Sequence, residues 1–92
     1  MDAKTILVLG RRDHAEAMRV AAGLTIFGHK VRLVLMTDVV AETEENAAQA
    51  ELLELADIVP ETTVAAMGQQ LKLLDSDALA QAMAGADQIV SL

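Results

Sequence analysis

The chain has 92 residues, of which 53% are hydrophobic, with one aromatic residue, Phe27, and no cysteine. This length predicts a single domain, 1–92, with a core of Ala, Leu, Val, Ile and Met, and the lack of cysteine excludes disulfides, thiolate metal ligands and a cysteine nucleophile. The net charge of −7 is uneven: residues 41–92 carry ten carboxylates and one cation, whereas residues 1–40 carry four carboxylates and six cations, a pattern that argues against nucleic-acid binding and favours a basic partner.

Hydrophobic runs in the chain are short. The run that follows Lys4 is too short for a signal-peptide core, and no run approaches the roughly 20 residues that span a bilayer. We therefore expect a cytoplasmic protein that makes no membrane contact. A positive mean hydropathy of +0.35 in so short a chain indicates more apolar surface than one copy can bury, and so predicts an oligomer.

The first third of the chain predicts a strand, a helix and a strand. Thr5–Leu9 (TILVL) is a continuous run of β-formers, which is typical of a strand buried on both faces. Asp13 and Glu16 form a capping-box-like pair at the start of a helix over 14–27, and Gly28 supplies its closing position. Val31–Met36 is the second strand, which completes a right-handed βαβ unit.

The remaining elements are shorter. Thr43, followed by Glu44 and Glu45, indicates the start of a helix over 46–56, and Ser76 is the expected N-cap of a helix over 77–84. Strands are predicted at Thr62–Ala65, Leu71–Leu74 and Gln88–Ser91. This order of elements predicts the α/β class, as a three-layer α/β/α arrangement around a mostly parallel sheet of four to five strands.

The first helix has an unusually wide apolar arc. Its polar residues, Arg12, Glu16, Arg19 and Gly23, fall on one narrow stripe. One explanation is a helix buried deeply in its own fold, but so small a domain has little else to cover the second side. We therefore expect a subunit interface that contains Met18, Ala22, Ile26 and Phe27.

A small anion is the most plausible ligand at the carboxyl ends of the strands. Arg11 and Arg12 precede the N-terminus of the first helix, His14 lies in its first turn and Asp38 follows the second strand. These four residues form the candidate site of an anion- or nucleotide-binding domain. In the alternative explanation, Asp13 caps the helix and the two arginines face water or a partner.

The sequence has no motif for dinucleotide binding, zinc binding or nucleophilic catalysis. Gly10 stands alone after the first strand, where a dinucleotide-binding loop needs three glycines. His14 and His29 are too far apart in sequence to predict zinc, and no serine has a nucleophile's partners. We expect no metal, no cofactor and no catalytic residue.

Three sequence segments resemble the DsrE/DsrF/DsrH-like family, small α/β proteins that include the Tus sulfur-relay subunits. These are Thr5–Gly10, the stretch Ala15–Met36 with its turn Gly28-His29-x-Val31, and the closing phrase Ala86–Ser91 (ADQIVS). The resemblance implies a DsrE-like domain that assembles as a homo-oligomer, or as a hetero-oligomer with thiol-bearing sulfur carriers.

The same resemblance implies that sulfur transfer itself takes place elsewhere. Active members carry sulfur on a cysteine, in the best known case in a loop after the third strand. The corresponding stretch here, Val64–Gln70 (VAAMGQQ), has no thiol, and the thioether of Met67 forms no persulfide. The chain thus resembles the cysteine-free, non-catalytic subunits of the family, which serve as structural partners.

Overall fold

A computed structural model describes residues 4–92. Its five strands are β1 (Thr5–Gly10), β2 (Lys30–Leu35), β3 (Glu61–Thr62), β4 (Lys72–Leu73) and β5 (Gln88–Ser91). Its helices are α1 (His14–Ile26), α2 (Glu44–Leu55), α3 (Ser76–Gly85) and a single 3₁₀ turn, Ala65–Met67. None of the helices in this described range combines the length and the hydropathy needed to cross a membrane.

All five strands are parallel and lie in the order β4-β3-β2-β1-β5. The pairing of β1 with β2 is the longest and runs from Thr5↔Lys30 to Gly10↔Leu35. By contrast, β3 makes only two residue pairs with β2 and two with β4. The continuous apolar run in β1 is explained by its central place, because Ile6, Leu7 and Val8 are all buried although they point to alternate faces.

The two faces of the sheet have separate cores. On one face, Ile6 and Val8 pack with α1 and α2, whereas on the other Leu7 and Leu9 pack with Ala82 of α3. Helices therefore cover both faces, which confirms the predicted α/β/α fold. Buried apolar residues of the described chain are all Ala, Ile, Leu, Met or Val, as the composition predicts.

The helices α1 and α2 end with the same pattern of backbone hydrogen bonds, around a residue in the left-handed conformation. After α1, Gly28 has φ 89° and donates its N–H to the Thr25 carbonyl, as predicted. After α2, Asp57 takes the equivalent left-handed position with φ 58°, and its N–H donates to the Glu54 carbonyl at 3.1 Å. The next residue donates in both cases to a carbonyl five residues back, His29 to Leu24 at 3.3 Å and Ile58 to Leu53 at 2.9 Å. Aspartate tolerates this conformation better than most residues. These hydrogen bonds form a Schellman motif, and the burial of Leu53 and Ile58 in one core supplies the apolar contact that accompanies it.

The structure corrects the predicted start of α3 and confirms that of α1. Asp75, not Ser76, caps α3, because its Oδ1 accepts the N–H of Ala78 at 2.8 Å and helical geometry begins one residue earlier than expected. Asp13 does cap α1 through the N–H of Glu16 at 3.0 Å. The carboxylate of Glu16 instead binds Arg19, so the expected capping box forms only in part.

The strands predicted at Thr62–Ala65 and Leu71–Leu74 are much shorter in the structure. The first ends at Thr62, because the Thr62 hydroxyl accepts the N–H of Val64 and turns the chain into the 3₁₀ helix. The second comprises only Lys72–Leu73, at the edge of the sheet.

Candidate functional site

The four residues of the expected anion site lie at one edge of the sheet, where β1 and β2 end. Arg11, Arg12 and Asp38 are exposed, and His14 is half-buried. The backbone N–H groups of Arg12 and Asp13 both donate to the carbonyl oxygen of Leu92 at 3.0 Å. An anion at this position would have to replace that oxygen, since it needs the same donors.

His14 serves as a link between α1 and β2. Its Nε2 lies 2.9 Å from the carbonyl oxygen of Met36, and because a carbonyl can only accept, Nε2 carries the proton. The N–H of Asp38 donates to the same oxygen at 3.0 Å. Two of the four predicted residues thus meet at one carbonyl. No ion pair within residues 4–92 joins Asp38 to Arg11 or Arg12.

Thr37 adopts a strained backbone conformation beside this contact. Its φ is 78°, and the Asp38–Met36 hydrogen bond closes a γ-turn around it. A left-handed conformation is costly for a β-branched residue, and such strain persists only where the surroundings impose it. The turn directs the chain away from β2 and into the loop 39–43.

A cleft of about 1180 Å³ runs along α2. Opposite α2 lies the β3–β4 connection, with Ala66, Met67, Gln70 and Leu71, and the loop 39–43 contributes a further part of the lining. Beneath the cleft are buried core residues, namely Met18, Leu35 and Leu53. Sequence reasoning missed this cleft, because its walls come from segments far apart in the chain.

The lining of the cleft is apolar and acidic. Four carboxylates contribute to it, those of Glu42, Glu44, Glu51 and Glu54, and no lining residue is Lys or Arg. The surrounding stretch, residues 33–71, has eight carboxylates and no Lys or Arg. Within the described residues, Glu61 is the only one of these eight in an ion pair.

Arg32 of the neighbouring strand is the partner of Glu61. Its Nε and Nη2 donate to the two carboxylate oxygens of Glu61 at 2.9 Å each. These hydrogen bonds raise the pKa of Arg32 above its ordinary value. The pair links β2 to β3 and leaves the carboxylates of the cleft without that cation.

The segment where the family resemblance places a relay cysteine forms part of the cleft wall. Ala66, Met67 and Gln70 line the cleft, and the Met67 side chain is largely buried. The one hydroxyl that the described residues contribute to the lining, that of Thr43, accepts the N–H of Asn46 as the cap of α2. In the described part of the chain, no three of His, Asp and Glu are grouped closely enough to hold a metal ion. The lining therefore offers carboxylates and amides for binding.

The structure divides the four residues of the expected interface. Met18 and Ala22 are buried in the core between α1, α2 and the sheet, whereas Ile26 is 80% and Phe27 83% exposed. The second side of α1, which the sequence assigned to another subunit, is covered by α2. Of the four residues, only Ile26 and Phe27, at the C-terminal end of α1, thus remain available to a partner.

Two further exposed apolar residues are the last residue of α2 and a residue of the connection that follows it. Leu55 is 79% and Val59 80% exposed. Each helix connects two parallel strands on the same face of the sheet, so both helices end at the edge where β2 and β3 begin. We call Ile26, Phe27, Leu55 and Val59 the apolar end. Leu55 and Val59 were not foreseen, because the sequence does not show which surface at the end of α2 is covered.

His29 has a structural role that was not predicted. Instead of facing solvent freely in its turn, it is half-buried, and its Nδ1 accepts the N–H of Lys4 at 3.2 Å. This contact links the end of α1 to the residue before β1. His29 lies 15 positions from His14 in the sequence, at the opposite edge of the sheet.

These features define a small parallel α/β domain with an acidic cleft and an exposed apolar end. Comparison with family models, with curated proteins and with solved structures gave no match.

Proposed function

We propose that the chain is a non-catalytic interaction subunit that assembles through its apolar end. The observation that supports this most strongly is the exposure of Phe27, the only aromatic residue of the chain, at 83%. Large apolar side chains grouped on a surface commonly mark association sites, because burying them against a partner is favourable. The partner is either a second copy of this chain or another subunit.

The biological setting that we propose is sulfur transfer. The segments that resemble the DsrE-like family support this proposal, and because the chain has no cysteine, the role proposed for it is that of a partner to a thiol-bearing sulfur-carrier protein. In such a complex the carrier holds the persulfide, and this chain contributes binding surface alone.

Light scattering over a micromolar concentration series tests the assembly. We expect the wild type to form dimers or larger species, and Ile26→Ser with Phe27→Ser to be monomeric yet folded, since both side chains are mostly exposed. Met83→Ser, at a residue of α3 that is 40% exposed, is the control and leaves assembly unchanged. A monomeric wild type that binds no carrier would contradict the proposal.

Titration calorimetry with a purified thiol-bearing sulfur carrier, with and without its persulfide, tests the sulfur setting. We expect binding of the carrier to the wild type and weaker binding to the double variant. Self-association without carrier binding would support the interaction subunit and contradict the sulfur setting.

A further inference from the structure

The cleft along α2 has no role in assembly through the apolar end, and the two surfaces share no residue. Its exposed apolar surface is provided largely by small side chains. Ala47, Ala50 and Ala66 are exposed in its lining, and Val39 is 54% exposed. Small residues leave room for the larger apolar side chains of another molecule. The cleft is thus shaped to receive apolar groups.

The charge around the cleft indicates which kind of molecule carries those apolar groups. Glu44, Glu51 and Glu54 recur on one side of α2, and Glu42 lies in the preceding loop. Because no Lys or Arg lines the cleft, an acidic occupant would be repelled, whereas a basic one would be attracted. The complementary molecule has apolar side chains flanked by cations.

The geometry of the walls favours a helix over an extended strand. A bound strand needs a free sheet edge for its backbone, but the edge strand β4, Lys72–Leu73, is not part of the lining. The cleft instead follows α2, and Glu44 to Glu54 span about 15 Å at 1.5 Å per residue, or nearly three helical turns. Met18 and Met67 lie at its base and are buried, and methionine is a residue type whose unbranched thioether side chain adapts to irregular apolar surfaces.

We infer that the cleft binds a basic amphipathic helix of a partner protein. Leucine-like side chains at positions i, i+3, i+4 and i+7 of that helix enter between α2 and the β3–β4 connection, and its flanking Lys or Arg residues face the four glutamates. This inference requires neither the proposed self-association nor the sulfur setting.

Fluorescence anisotropy with a labelled synthetic peptide tests the inference. The peptide has about 14 residues, or nearly four helical turns, with Leu at i, i+3, i+4 and i+7 and Lys at the flanking positions. We expect it to bind the full chain, and its affinity to fall as the ionic strength rises from about 0.1 M to about 1 M, over which the Debye length shrinks from about 10 Å to about 3 Å. The same peptide with Glu in place of Lys is expected not to bind.

Two pairs of variants locate the binding. Glu51→Lys places a cation in the cleft, and Ala50→Phe fills it; each is expected to weaken peptide binding about tenfold. Glu45→Lys and Ala48→Phe make the same changes at exposed positions of α2 outside the cleft and leave binding unchanged. Circular dichroism spectra confirm that all four variants are folded.

Three outcomes would overturn the inference. The first is equal binding of the Lys and Glu peptides, and the second is equal affinity of Glu51→Lys and Glu45→Lys for the Lys peptide. The third is displacement of the peptide by spermine at matched charge concentration, which would mean that the cleft is a site for small cations. The Ile26→Ser and Phe27→Ser double variant retains peptide binding, so that failure of the assembly proposal and failure of this one are distinguishable.

Discussion

The hydroxyl group of Thr62 donates a hydrogen bond to the carbonyl oxygen of Leu35 at 2.7 Å. Thr62 is fully buried, and the same hydroxyl accepts the N–H of Val64 at 2.9 Å. One side chain thus holds the end of β2, the end of β3 and the start of the 3₁₀ turn that lines the cleft.

Replacement of Thr62 by Val tests this link. Valine keeps the shape but leaves the N–H of Val64 without its partner, and we expect the free energy of unfolding to fall by about 1–3 kcal/mol. Thr63→Val is the control, because the Thr63 hydroxyl makes no hydrogen bond within the described residues, and it changes stability by less than about 0.5 kcal/mol. Urea denaturation measures both, and equal effects would contradict the assignment.

The strain at Thr37 predicts an unusual response to glycine. Its φ of 78° is easily adopted by glycine, so Thr37→Gly relieves the strain while adding freedom to the unfolded chain. We expect a stability equal to or up to about 1 kcal/mol above that of wild type. Thr37→Ala keeps a Cβ atom and so does not relieve the strain fully. If thermal unfolding shows Thr37→Ala to be more stable than Thr37→Gly, the prediction of backbone strain at Thr37 is wrong.

The two candidate caps of α3 are separable by mutation. Asp75→Ala removes the acceptor for the N–H of Ala78, and we expect it to lower the free energy of unfolding by about 0.5–2 kcal/mol. Ser76→Ala leaves this hydrogen bond in place, and a change below about 0.5 kcal/mol is expected. Denaturant titration of the two variants measures both losses in free energy of unfolding. A larger loss for Ser76→Ala would mean that Ser76 is the cap, as the sequence predicted.

The exposed pair of Glu16 and Arg19 predicts a pH dependence. The hydrogen bonds from Arg19 lower the pKa of Glu16 below its ordinary value of 4.5. The charged carboxylate is therefore favoured in the folded chain, and the pair's contribution, present above pH 4.5, is lost as the pH falls through the folded-state pKa.

Carboxyl chemical shifts measured by NMR during an acid titration check this pKa. We expect Arg19→Gln to return the pKa of Glu16 to its ordinary value, and Arg12→Gln to leave it lowered, since Arg12 forms no ion pair with Glu16 within the described residues. A Glu16 pKa that is the same in wild type and Arg19→Gln would contradict the pairing.

Local sequence signals predicted the first half of the fold closely. The β-formers of β1, the cap at Asp13 and the glycine at position 28 each act over a few residues, and the structure has all three. The end of α2 was harder to predict, because Asp57 occupies a position that glycine usually takes. The two short strands at the sheet edge were overestimated, since their hydrogen bonds depend on neighbours distant in sequence.

The candidate surfaces depended on tertiary contacts that periodicity does not show. The apolar arc of α1 is explained by coverage from α2, a helix whose only buried residue is Leu53. The same packing leaves Phe27 exposed at the end of α1. For the anion site, the sequence correctly grouped residues at one sheet edge, but it could not show that the carbonyl of Leu92 occupies two backbone donors.

The unequal pairing of the strands gives the domain a gradient of local stability. The six residue pairs between β1 and β2 form its most protected part, whereas β3 makes only two pairs with β2 and two with β4. Backbone amides at this weakly paired edge therefore open to solvent at a lower free-energy cost than those of the centre. Because the β3–β4 connection forms one wall of the cleft, that wall can adjust locally without unfolding the core.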